Sequence, residues 1–264
     1  MTQTIQANGI NISYEVAGEG PWLLFSHSLG CSKTMWQSQF DLLAESFQVV
    51  RYDTRGHGQT DAPPGPYSLD MLADDVKALC DALGIEQCHF VGLSMGGMIG
   101  QTVALKYPDL LLSLTLADTT SYYGPAVLPL WQTRSQTALT EGMAALVTPS
   151  LDRWFTASFR EAQPELMQEV RQWILDNSAQ GYAACCLAIA DLDTTARLKE
   201  ITVPTLIIVG ADDVATPPAM SEAMHAQIAG SKLVVLPSAA HIASVEQPDA
   251  FNEALQDFLA EARA

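Results

Sequence analysis

The sequence predicts an α/β fold: a mostly parallel sheet covered by helices on both faces, with a helical insertion late in the chain. Three observations predict it. Short apolar runs alternate with helix-like segments. A serine flanked by glycines, at 92–96, stands between an apolar run and a helix. From about Ser121 to Arg197 the alternation breaks, and Trp131, Trp154 and Trp173 appear with little strand signal.

Ile10–Val16 alternates apolar and polar residues, as a half-buried strand does. Trp22–Phe25 and Gln48–Tyr52 are short strands, the second ending in the turn Asp53-Thr54-Arg55-Gly56-His57-Gly58. Ser68 N-caps a helix whose Leu69, Leu72, Val76, Leu79, Cys80 and Leu83 share one face, and Gly84 stops it. His89–Leu93 is a strand and Gly96–Tyr107 a helix closed by Pro108. Leu111–Ala117, Thr205–Val209 and Leu233–Leu236 are further strands, and Pro248–Ala260 is a closing helix. Residues 1–120 and 198–264 are therefore expected to form one core, with 121–197 as a helical cap over the C-terminal edge of the sheet. Open α/β folds bind ligands at that edge.

Composition narrows the function. Of 264 residues, 48% are hydrophobic and 16% charged, which excludes a disordered chain. Thirteen Lys and Arg against thirty Asp and Glu give a charge of −17, so nucleic acid and anionic lipid are not expected partners. An anionic substrate would need a local cation. No apolar stretch reaches the roughly 18 residues of a membrane span, and the first residues carry neither a basic nor an apolar leader segment. Five cysteines, none at zinc-site spacing, fit free thiols in a reducing cytoplasm.

Gly92-Leu93-Ser94-Met95-Gly96 is a G-x-S-x-G in the setting of a nucleophile elbow, where a strained turn pushes the serine Oγ out of the sheet. A dinucleotide fingerprint would need glycine at Ser94, and a P-loop would need Lys-Ser/Thr after it. Serine needs a base. His241 follows the last strand; His225 lies in a helix-like stretch, His89 starts a strand, and His57 belongs to a loop-holding turn. Either Asp212 or Asp213 could orient it; Asp213, three residues past Gly210, is the expected acid, Asp212 then pointing to solvent, with Asp118 in reserve. Backbone N–H groups of Met95 and of Leu29, in the early loop Ser26–Gly30, are the expected oxyanion donors.

These pieces resemble the α/β-hydrolase superfamily along the whole chain, and more narrowly the 3-oxoadipate enol-lactonases. The similar stretches are Ser28-Leu29-Gly30, RYDTRGHGQTDAPPGPYSL (51–69) and GLSMGGMIGQ (92–101). In the insertion they are RWFTASFR (153–160) and QGYAACC (180–186), the discriminating ones. ATPPA (215–219) and AAHIASVEQP (239–248) complete the set. The resemblance implies an eight-stranded sheet, no cofactor or metal, Ser94, Asp213 and His241 as a triad, and hydrolysis of the enol-lactone to 3-oxoadipate in the β-ketoadipate pathway. One departure is His27, where that group carries Asn.

The lactone is an anion, so a cap arginine should meet its carboxylate. Arg134 is the choice, one helical turn from Trp131, with Arg153 and Arg160 as rivals. At least two of Trp131, Trp154 and Trp173 are expected to fasten the cap rather than line a pocket. The same core motifs fit a general carboxylesterase, lactonase or perhydrolase. They also fit a carbon–carbon bond hydrolase or a receptor that lost turnover. Oligomeric state is not readable from the sequence.

Overall fold

A computed structural model describes residues 1–262. Eight strands form one sheet: β1 (Gln3–Ala7), β2 (Ile10–Ala17), β3 (Trp22–Ser26), β4 (Gln48–Tyr52), β5 (Cys88–Leu93), β6 (Leu111–Ala117), β7 (Thr205–Gly210) and β8 (Lys232–Leu236). Their spatial order is β1-β2-β4-β3-β5-β6-β7-β8. The pairings from β4 through β8 are parallel, and β2 runs antiparallel to both β1 and β4.

Strands β5 and β7 are buried along their whole length, as their largely apolar runs require. β1 escaped the sequence pattern. Its QTIQA is mostly exposed, and pairing with β2 supplies its order rather than burial.

Among the described residues eleven α-helices surround the sheet. Those of the core are α1 (Gln37–Leu43), α2 (Leu69–Leu83) and α3 (Met95–Lys106) before the insertion. The insertion carries α4 (Leu128–Glu141), α5 (Ala144–Trp154), α6 (Ala157–Ala162), α7 (Pro164–Leu175) and α8 (Ala179–Ala190). The chain then returns through α9 (Pro218–His225), α10 (Ala243–Glu246) and α11 (Pro248–Ala262). α3 packs on β3, β5 and β6 and against α2, while α11 packs on β6, β7 and β8 and against α1. The Ser68 hydroxyl accepts the Met71 N–H at 3.1 Å, and Gly84 ends α2 at φ 71°.

All five insertion helices fall between β6 and β7, so they hang over the strand ends. α4 packs on α8, and α5 on α7. Several ties fasten this layer to the core. Asn177 donates to the Gly30 carbonyl at 2.8 Å and accepts the Gly58 N–H at 3.0 Å. Gly181 meets Gly56 so closely that a Cβ on either would overlap the other's backbone. The Ile242 N–H donates to the Trp154 carbonyl at 3.1 Å. Among the described residues no helix is long and apolar enough to cross a membrane.

Candidate active site

Ser94 sits at the tip of the turn from β5 into α3, with φ 56° and ψ −114°. A non-glycine residue held there costs about 1–3 kcal/mol. The surroundings impose it: the Ser94 N–H donates to Ala117 O at 2.9 Å, and Thr119 Oγ1 donates to Ser94 O at 2.8 Å. The flanking glycines are steric necessities. A Cβ on Gly92 would run into the Gly96 carbonyl, and one on Gly96 into the Ser26 carbonyl.

His241 lies in the loop after β8, and its Nε2 is 3.0 Å from Ser94 Oγ. Its Nδ1 is 2.9 Å from Asp213 Oδ2. A carboxylate only accepts, so Nδ1 carries the proton and Nε2 is free to accept from the serine hydroxyl. The three side chains are almost fully buried, at 6%, 4% and 2% exposure for Ser94, His241 and Asp213. Burial pushes the Asp213 carboxyl up, but the electrostatic interaction with the His241 ring and the hydrogen bonds outweigh it and hold the group below its ordinary range. Its Oδ1 accepts the Ala215 and Thr216 N–H groups at 2.7 and 3.0 Å, and Thr216 Oγ1 donates to Oδ2 at 2.7 Å. The sequence did not single out Thr216, because only folding of the 213–216 turn gives its hydroxyl a carboxylate.

The other carboxylates separate from this group. Asp212 is exposed. Asp118, at φ 43°, turns its Oδ1 to the Gly210 N–H at 2.8 Å. It ties the end of β6 to the end of β7. His225 is exposed and bonded to Ser231, and His89 is buried against Ser113.

Leu29 lines the same cavity as Ser94, and Met95 follows the serine in the chain. Among the described residues no acceptor takes the N–H of either. Met95 is the first residue of α3, so its N–H belongs to the unsatisfied, electropositive end of the helix.

Above Ser94 and His241 lies a cavity of about 280 Å³, roofed by Trp131, Arg134, Arg153 and Trp154. Two of the three cap tryptophans therefore line the cavity, contrary to the sequence expectation, and only Trp173 stays away from it. The reason is topological: α4 and α5 converge over the serine, whereas α7 runs outside them. The Arg134 guanidinium donates to Tyr182 Oη at 2.8 Å, and its Nε is buried without a partner. Among the described residues neither Arg134 nor Arg153 is ion-paired. Burial, then the neighbouring Arg134 charge, brings Arg153 down to about 10. Arg160 is turned away, donating to the Phe155 carbonyl at 2.7 Å and paired with Asp152.

A family model described as alpha/beta hydrolase fold matches residues 21–248. The 3-oxoadipate enol-lactonase 2 of Acinetobacter baylyi is 39% identical over 255 residues, covering 96% of this chain and 94% of its own. The crystal structure of the enol-lactonase from Burkholderia xenovorans superposes with a TM-score of 0.94 at 39% identity, covering 98% of this chain and 100% of that one. A malate-bound thermophilic esterase from Thermogutta terrifontis superposes at 0.95 with 31% identity, each chain covered in full.

Proposed function

The chain belongs to the α/β-hydrolase fold family, and we propose that it is a serine hydrolase opening 3-oxoadipate enol-lactone to 3-oxoadipate through an acyl-enzyme. One observation carries the reading: the relay from Asp213 through His241 to Ser94 opens into a cavity whose roof holds two arginines without carboxylate partners. A cation left unpaired in a chain of charge −17 is a place for a ligand's negative charge. The enol-lactonase relatives, similar along nearly the whole chain, give the same direction.

In the first half-reaction Ser94 Oγ attacks the lactone carbonyl while His241 Nε2 takes its proton. Asp213 holds the imidazole in orientation and balances the charge it gains. The Leu29 and Met95 N–H groups receive the oxyanion, each worth about 3–4 kcal/mol by analogy with other hydrolases. The ring C–O bond breaks, and the oxygen leaves as an enolate, which is more stable than an alkoxide. It takes the proton that His241 Nε2 gained from Ser94 and becomes the ketone, still attached to Ser94 through the acyl group, and His241 is neutral again. Water then attacks the ester carbonyl, gives a proton to His241, and the Ser94 oxygen leaves and recovers it. The net change is lactone plus water to the diacid.

Arg134 and Trp131 bind the substrate's own carboxylate in this reading, the guanidinium by paired hydrogen bonds and the indole by stacking on it. The assignment of residues 121–197 as a cap domain, closing over a core of 1–120 and 198–264, belongs to the same proposal. A direct assay on the enol-lactone against a panel of neutral esters of similar size tests it. The lactone should be turned over at least about tenfold better in kcat/KM. Preference for neutral esters would assign a general carboxylesterase instead.

A further inference from the structure

Leu29 occupies a turn in which the neighbouring backbone N–H groups are claimed. Ser28 N–H points at Met35 Sδ at 3.4 Å, Gly30 N–H at His57 Nε2 at 3.1 Å, and Cys31 N–H at Ser28 O at 3.0 Å. The Leu29 N–H alone is left over, beside the cavity. Two buried histidines hold this arrangement.

His27 Nε2 lies 2.9 Å from the Thr54 N–H. Only an unprotonated ring nitrogen can accept, so the proton is on Nδ1, which donates to Ser28 O at 2.8 Å. The Ser28–Leu29 peptide is trans, as Gly65–Pro66 is the one cis bond among the described residues. Its C=O and N–H therefore point in opposite directions. Pulling the Ser28 carbonyl toward His27 turns the Leu29 N–H away from His27. The next peptide is pinned as well: His57 Nε2 accepts the Gly30 N–H, and its Nδ1 is 3.3 Å from Arg55 O. The two rings are neighbours, with centroids 5.2 Å apart.

We propose that His27 and His57 are positioning residues, two neutral imidazoles that fix the peptides on either side of Leu29 and so aim its N–H at the oxyanion. The proposal rests on the reading of Ser94 as nucleophile and Leu29 as donor. Neutrality is supported by burial, which lowers the affinity of both rings for a second proton. It outweighs nearby Asp53 and is reinforced at His27 by Lys33. The value for His57 falls to about 3. A charged His27 would present N–H to the Thr54 N–H, and the turn would open.

The two functions of His27 separate by substitution. In His27→Asn the side-chain amide N–H stands where Nδ1–H was, keeping the donor to Ser28 O. In His27→Gln the amide oxygen stands where Nε2 was, keeping only the acceptor for Thr54. His27→Phe keeps neither. We expect kcat of the Gln and Phe variants to fall about 10–100-fold with KM within about twofold, since an aimed oxyanion donor acts in the transition state. His27→Asn should recover most of that loss. Where a His27 variant does not fold, the pair His57→Gln and His57→Phe gives the same split, Gln retaining an acceptor for Gly30. Equal kcat across the folded variants, with Ser94→Ala inactive, would show that the Cys31 N–H suffices to hold Ser28 O and would overturn the proposal alone. A fully active Ser94→Ala would overturn the underlying reading, and the proposal with it.

Discussion

The Arg134 guanidinium lies 4.7 Å over the Trp131 ring, the two side chains one turn apart on α4. Stacking fixes the plane of the guanidinium, and the Tyr182 hydroxyl takes one of its N–H groups at 2.8 Å. The remaining donors have no carboxylate among the described residues. Arg134→Ala should therefore lower kcat/KM on the anionic lactone about 10–100-fold, the worth of hydrogen bonds to a charged group. Most of the change should be in KM. A neutral ester should lose far less, and equal losses on both substrates would remove the carboxylate role.

Gly92 tests the steric account of the elbow. A Cβ there overlaps the Gly96 carbonyl, which is backbone and cannot swing aside. Gly92→Ala should cost more than about 3 kcal/mol, as severe overpacking does. In a chain of this size that lowers Tm by at least about 6 °C. A melting curve coincident with the parent's would show that strand and helix are not as closely packed as described.

Asp118 gives a prediction about pH. Its carboxyl is buried, and burial together with the Asp213 charge outweighs its backbone hydrogen bonds and raises it well above the carboxylate range. The native state therefore keeps this proton at pH values where the unfolded chain has released it. In that window the folded state binds more protons, so this group's contribution to stability falls as pH rises from about 4. Asp118→Asn cannot titrate and keeps an acceptor for the Gly210 N–H. It should be more stable than the parent at pH 8, on the order of 1 kcal/mol, with the gain shrinking toward pH 4. Denaturant midpoints at the two values check this, and a gain larger at pH 4 would reverse the assignment.

The parts of the site legible in the sequence were those set by local backbone rules. Ser94 was marked by glycines that steric contact demands, and Asp213 and His241 by their places after β7 and β8. The parallel strands were legible because their runs are largely apolar, while β1 was hidden because its QTIQA is mostly polar and exposed. What stayed unreadable depends on how α4 and α5 converge: that Trp154 and Arg153 join Trp131 and Arg134 over the serine. Such convergence is a tertiary fact with no spacing signature. The same holds for His27 and His57, which lie thirty residues apart in sequence yet hold one turn from both sides.

In the proposed reaction Ser94, with His241 Nε2 at 3.0 Å, attacks the lactone carbonyl. Purified parent and Ser94→Ala proteins should be compared on 3-oxoadipate enol-lactone by loss of absorbance. Rapid turnover by the parent is expected, with a loss of at least about 10³-fold in the variant, the scale on which removal of a triad member acts. A variant retaining most of the parent's rate would contradict it.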